Sequence, residues 1–95
     1  MTNLKTRLSE DIADVKWQYL TPHIQRDAII LVTKRLNLIE VGVAIAQDDV
    51  NSVQQWISKA LIHKPSPEQL TTWNSDSSIS FNTLILQPFV LIQPM

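Results

Sequence analysis

Apolar residues recur every three or four positions between Leu36 and Ile62, which predicts two short helices joined by a tight acidic turn. In the first half this spacing selects Leu38, Val41 and Ile45. In the second half it selects Val50, Val53, Ile57 and Ala60, and we expect Val53 and Ile57 to be the buried face of the second helix. Small residues in the first half allow close approach, so we interpret the segment as a helix-turn-helix.

Start signals support both helices. Asn37 can accept a hydrogen bond from the N–H of Glu40, whose side chain can reach back to Asn37 as in a capping box. Asp48 or Asp49 can cap the second helix and complement its dipole. The alternative is a strand over Ile39–Ala46, because β-branched residues alternate there. The paired start signals favour the helix.

The amino-terminal third predicts alternating short elements. An amphipathic helix is expected from Asn3 to about Asp14, and an apolar turn follows at Trp17–Leu20. Thr21 and Pro22 have the pattern of a cap and first helical turn, which predicts another short helix there. The continuous apolar run Ala28–Val32 is typical of a short buried strand.

The carboxyl-terminal third begins with a short predicted strand at Leu61–His63 that stops before Pro65. Ser66 to Gln69 form a capping box with proline at the first helical position, which predicts a helical turn. Phe81–Ile92 is the longest apolar segment. We expect it to form one long strand, kinked at Pro88 because proline cannot donate to a ladder.

Together these elements predict a single α+β domain over residues 1–95. In it, a helix-turn-helix packs on a small antiparallel sheet with a long C-terminal strand. This order of elements resembles the winged-helix architecture. The connection where a wing would lie contains a predicted helix of its own.

Composition and charge make several classes of function unlikely for this chain. The chain has 95 residues, a net charge of −1 and no cysteine, so it lacks disulfides, thiolate metal sites and cysteine nucleophiles. Its first residues contain neither a signal peptide nor a membrane span, and we expect a cytoplasmic protein without membrane association. Apart from Lys59 and Lys64, every Lys and Arg lies at or before Arg35, mixed with acidic residues. No nucleic acid is therefore expected as a partner.

Several separate blocks of the sequence resemble one family: WQYL, PHIQRDAIILV, LNLIEVGVAIAQDDV, VQQWI, KPSPEQLTTWN and FNTLILQPFVLIQ. In this order they are similar to a small bacterial family called domain of unknown function 2288, over about Leu4 to Gln93. The resemblance implies no activity and supplies no catalytic residues.

Candidate chemical groups are few. His23 with Arg26 and Asp27 could act as a general base, although a surface helix end is the simpler interpretation. His63 beside Lys64 could bind an anion. Asp48 and Asp49 could contact a cation, but a divalent site needs more carboxylates than this turn offers, and capping explains them. We expect no catalytic, cofactor-binding or metal-ligating residues and no cofactor.

Three classes of function remain. A protein-interaction or assembly module is favoured. The alternatives are a nucleic-acid-binding winged helix and an enzyme or ligand binder built on His23, His63 and the tryptophans. From Ser77 to Met95 the chain carries no charge, so this apolar strand lacks the residues that protect a sheet edge. The sequence therefore predicts a protein partner or a homodimer formed through this strand.

Overall fold

The computed structural model of the chain describes residues 3–24, 27–76 and 78–94, which form a five-stranded sheet with helices on both faces. The strands are β1 (Ala13–Lys16), β2 (Ile29–Val32), β3 (Ile62–His63), β4 (Ser80–Leu86) and β5 (Phe89–Pro94). The helices are α1 (Leu4–Asp11), α2 (Trp17–Ile24), α3 (Leu38–Ala46), α4 (Val50–Ser58) and α5 (Pro67–Asn74). The α+β class predicted from the sequence is confirmed.

The sheet has the order β1-β4-β5-β2-β3 and is mixed. β4 and β5 form an antiparallel hairpin, whereas β5 runs parallel to β2. Two predictions were therefore wrong: the sheet is not purely antiparallel, and the C-terminal segment is not one long strand. The reason lies at Gln87 and Pro88, where the proline cannot donate to a ladder and the chain reverses, pairing Leu86 with Phe89.

The winged-helix likeness is not confirmed. The sheet contains a parallel pair in its interior, and α5 occupies the connection between β3 and β4. The pair of helices α3 and α4 is present as predicted, packed on this larger sheet.

Successive side chains along each strand point to opposite faces of the sheet, so the core has two layers. One layer packs beneath α2 and α5, and the other beneath α1 and α3. The first contains Trp17, Leu20, Ile29, Leu31, Trp73, Phe81, Val90 and Ile92. The second contains Leu8, Val32, Leu38, Val41, Ile62, Leu84 and Leu91. Strand β5 contributes to both layers, since Val90 and Ile92 face one and Leu91 faces the other.

Two tryptophans are structural. The rings of Trp17 and Trp73 meet edge to face with centroids 4.9 Å apart, and both pack edge to face on Phe81. The indole Nε1 of Trp17 donates to Asn74 Oδ1 over 2.8 Å, so its polar atom is satisfied. Trp56 is partly buried against the other core layer. The tryptophans are therefore used mainly to cover the sheet.

The amino-terminal prediction needs correction. Helix α1 ends at Asp11, and Ala13–Lys16 instead forms a strand that pairs with β4. Helix α2 begins at Trp17, so Pro22 lies inside it rather than in its first turn. Because Pro22 has no N–H for the carbonyl of Gln18, the Thr21 hydroxyl donates to that carbonyl over 3.0 Å. The chain thus tolerates proline within the helix.

The side-chain caps predicted at Asn37 and Asp49 are present, although Glu40 does not return the hydrogen bond that a capping box at Asn37 requires. Asn37 Oδ1 accepts from the N–H groups of Ile39 and Glu40, at 2.8 and 3.3 Å, and Ile39–Ala46 is helical, which resolves the helix-or-strand alternative. Asp49 Oδ1 accepts from the N–H of Ser52 at 3.2 Å. Asp48, in the turn between the helices, has a φ of 58°. The predicted buried strand is present as β2 and the predicted short strand as β3, each beginning one residue later than expected, and the capping box of α5 at Ser66 is confirmed.

Helix α4 does not bury the face that its sequence predicts. Val53 packs partly against the core, but Ile57 is 58% exposed and Val50 is 51% exposed. Helices α1 and α3 cover the sheet above β4, and α4 is left at the edge, in contact with α3 and the two-residue strand β3. The expectation that Ile57 is buried was therefore wrong.

Gly42 is where α3 approaches the sheet most closely. A Cβ at this position would lie 2.6 Å from Leu84 Cδ2 and 3.3 Å from Leu8 Cδ1. Leu84 is fully buried, so its side chain has little room to move aside. A side chain here would have to displace Leu84, so glycine suits this close contact although it weakens a helix.

Gly42→Leu should lower the free energy of unfolding. Overpacking at this site destabilises the fold by about 3 kcal/mol, and replacing glycine within a helix stabilises it by about 1 kcal/mol. We therefore expect the free energy of unfolding to fall by about 2 kcal/mol. Urea unfolding measures it. Ala46→Leu, on an exposed position of the same helix, is the control and should change stability by less than about 0.5 kcal/mol. Equal urea midpoints for Gly42→Leu and Ala46→Leu would contradict the close packing of α3 on Leu84.

Ile57→Ala should cost less than about 1 kcal/mol in urea unfolding, because more than half of the side chain is already in water. Leu84→Ala is the comparison. This side chain is fully buried, and its truncation should cost about 2 to 5 kcal/mol. A loss at Ile57 as large as the loss at Leu84 would show that α4 packs more tightly than described.

Asp76 should show a depressed pKa. The Ser78 hydroxyl and, to a smaller extent, the Ser78 N–H donate to its carboxylate and hold its pKa below the ordinary value. The resulting stabilisation is present above the unfolded-state pKa and is lost as the pH falls through the folded-state pKa. An NMR titration should find the low value, and Ser78→Ala should raise it towards normal. An unchanged titration in that variant would refute the hydroxyl's role.

Candidate docking site: an apolar groove beside helix α4

A groove of about 650 Å³ lies between helix α4 and the sheet, and we call it the α4 groove. Its floor consists of Ile30, Ile62 and Phe89, one residue each from β2, β3 and β5. The strand order places these three residues on neighbouring strands, on the sheet face that carries α1 and α3. The floor therefore depends on the parallel pairing of β2 with β5.

The walls of the groove are helical. Ala44 and Ile45 at the end of α3 form one side. Val50, Val53 and Ile57 form the other, and their spacing of three and four places them along one face of α4. Val50, Ile57 and Phe89 are each exposed by more than a third of their surface. The α4 groove is consequently an apolar surface in contact with water.

The rim of the groove carries charge. Asp48, Asp49 and Lys64 are all among its lining residues. The Lys64 ammonium donates to Asp27 Oδ2, and both side chains are largely exposed. Asp49 is held in place by its cap, since its Oδ1 and Oδ2 accept from the N–H and the hydroxyl of Ser52. Two carboxylates and one ammonium therefore line the groove, and the ammonium is paired with the carboxylate of Asp27, which is not a lining residue.

The structure separates the candidate histidines. His63 lies on the edge strand β3 at one end of the groove, with its Nδ1 2.9 Å from the Lys64 carbonyl. His23 lies in the last turn of α2 and is not among the residues that line the groove. Asp27, predicted as a partner of His23, is paired with Lys64 instead. Arg26 lies outside the described residues.

The described residues contain neither a metal-ligating cluster nor a membrane-spanning helix. Within residues 3–24, 27–76 and 78–94, no three His, Asp or Glu side chains are grouped so that they could hold a metal ion. In the same part of the chain, every helix is too short or too polar to cross a bilayer. Asp49 serves as the helix cap that the sequence predicted.

Sequence reasoning identified the residues of α4 but missed the groove itself. The apolar spacing of Val50, Val53 and Ile57 was evident, yet spacing cannot show whether another element covers that face. Phe89 lies in the uncharged C-terminal segment that the sequence singled out for association. Its convergence with Ile30 and Ile62 follows from the sheet order, for which the sequence carries no local signal.

Comparison with known proteins places the chain in a family. The NMR solution structure of PA1075 from Pseudomonas aeruginosa has a similar fold, with a TM-score of 0.81 and 26% sequence identity. The similarity covers 99% of this chain and 86% of that one. No curated protein matches the chain. A family model matches residues 3–94, and the chain therefore belongs to the family described as Protein of unknown function (DUF2288).

Proposed function

We propose that this domain is a protein-interaction module without catalytic activity, and that the α4 groove binds an apolar segment of a partner protein. The observation that carries the proposal is the exposure of the apolar face of α4. Ile57 and Val50 expose more than half of their surface, beside a floor made of Ile30, Ile62 and Phe89. Apolar side chains grouped in this way at the surface of a domain mark interaction sites.

Occupation of the groove would release a useful amount of free energy. Full burial of a Val, Ile or Phe side chain is worth about 1.5 to 3 kcal/mol. Val50, Ile57 and Phe89 are each between about a third and two thirds exposed. Covering all three would therefore contribute about 3 kcal/mol, or more than a hundredfold in affinity. This amount suits a regulated or reversible complex.

A small apolar ligand is the alternative occupant. The volume of about 650 Å³ is within the usual range of about 300 to 1,000 Å³ for ligand pockets. Such pockets generally enclose most of the ligand, whereas here three of the lining side chains are open to water. That exposure supports a protein segment over an enclosed molecule. Native mass spectrometry of the purified protein would detect a retained ligand as added mass.

The C-terminal segment, for which the sequence predicts a protein partner or a homodimer, enters this proposal as a contact surface for the partner protein. β4 is paired with β1 and β5, and β5 with β4 and β2, so neither strand offers a free backbone edge. The outer strands β1 and β3 are also poorly suited to pair with a strand of another chain. β1 carries Asp14 and Lys16, and β3 has two residues followed closely by Pro65. The segment would take part through side chains such as Phe89.

Nucleic acid is not a proposed partner. In a winged-helix protein the second motif helix enters the major groove, and Lys and Arg neutralise phosphates. The corresponding helix here is α4, which is capped by Asp49 and preceded by Asp48. These carboxylates would meet phosphates with the wrong sign.

Ile57→Glu should abolish partner binding, because it places a charge on the wall of the groove while leaving the core untouched. Ile85→Glu is a matched control. Ile85 is 53% exposed and faces the other side of the sheet, where its cross-strand partner is Val90. Affinity capture from the native cell with quantitative mass spectrometry measures the effect, with circular dichroism to verify folding.

The comparison of the two variants decides the outcome. We expect specific partners of the wild-type chain to be lost with Ile57→Glu and kept with Ile85→Glu. Equal capture by both variants, with both folded, would show that the α4 groove is not the docking surface.

A further inference from the structure

We infer that the segment bound in the α4 groove is an amphipathic helix with basic residues beside its apolar stripe. This inference rests on the proposed function and specifies the chemistry of the partner. Two features of the groove support it: the kind of surface that forms its floor, and the sign of the charge on its rim.

The floor of the α4 groove favours a helix over an extended peptide as the bound segment. A peptide that binds as a strand needs a free sheet edge with several ladder positions. The α4 groove instead lies on a face of the sheet, where Ile30, Ile62 and Phe89 present side chains, and the adjoining edge strand β3 has only two residues. A bound helix contacts such a surface through apolar side chains at its positions i, i+3, i+4 and i+7.

The negative charge on the rim favours a bound segment with basic residues. Asp48 and Asp49 line the groove, and Lys64, which also lines it, is paired with Asp27. The charges of Lys64 and Asp27 cancel, so Asp48 and Asp49 leave the rim with a net negative charge. Lys59, the C-cap of α4, is not among the lining residues. Electrostatic complementarity requires positive charge on the occupant.

The same features disfavour a second copy of this chain. In a twofold dimer formed through this surface, one concave groove would face another. Both copies would bring Asp48 and Asp49 to one interface, and like charges repel. A separate helix avoids both problems, since it is convex and can carry the opposite charge.

The test uses the 95-residue chain and three synthetic peptides of about four helical turns. The first has a leucine stripe at helical spacing with lysine elsewhere, the second has the same stripe with glutamate elsewhere, and the third is a scrambled form of the first. Fluorescence anisotropy at low salt measures binding. We expect the lysine peptide to bind about tenfold or more tightly than the glutamate peptide, and more tightly than the scrambled one.

Charge variants locate the effect. The double variant Asp48→Asn with Asp49→Asn removes two charges, while asparagine retains capping ability and tolerates a positive φ. It should reduce the preference for the lysine peptide to less than threefold. The matched control is Asp14→Asn with Glu68→Gln, which removes the same charge from β1 and α5 and should leave the preference unchanged. Ile57→Glu should weaken both striped peptides.

The outcomes are distinguishable. Equal binding of lysine and glutamate peptides, both lost in Ile57→Glu, would overturn the basic partner and retain the docking groove. Equal binding of the striped and scrambled lysine peptides would reduce the effect to nonspecific charge attraction and overturn the inference. Concentration-dependent dimerisation that Ile57→Glu abolishes would identify a second copy as the occupant. Failure of every peptide to bind would overturn the inference together with the proposed groove.

Discussion

The insertion of β5 between β4 and β2 is the interaction on which the rest of the structure depends. β5 forms an antiparallel ladder on one side and a parallel ladder on the other. Its side chains enter both core layers, since Val90 and Ile92 pack beneath α2 and α5 while Leu91 packs beneath α3. Gln93 adds a polar link, because its Nε2 donates to the carbonyls of Thr33 and Leu36 at 2.9 and 2.7 Å. The loop that leads into α3 is thereby tied to the sheet.

The position of α3 on this sheet explains why α4 is exposed. Gly42 lets α3 approach Leu84 closely, so α3 and α1 occupy the face above β4. α4 follows after a short turn and reaches only the narrow edge formed by β3. An apolar helix face without a complete covering layer is costly for a monomer, because it leaves apolar surface in water. A partner that covers the α4 groove would remove that cost.

Polar groups at the α4 groove make contacts within the chain. Asp49 is engaged as a helix cap, and Asp27 is paired with Lys64. His63 has the Lys64 carbonyl within hydrogen-bond distance of its Nδ1. The groove combines apolar contact area with a charged rim, and the proposed binding of a partner segment rests on that combination.

The sequence by itself determined the local elements, because their causes are local. The caps at Asn37, Asp49 and Ser66 are hydrogen bonds between residues two or three positions apart, and the sequence contains both partners of each. Tertiary structure decided the rest. Ala13–Lys16 became a strand because β4 was available to pair with it, and Phe81–Ile92 became a hairpin because β5 fits between two other strands. Likewise, periodicity predicted which face of α4 is apolar, but the space beside Ile57 is set by distant residues of β2, β3 and β5, which no local pattern encodes.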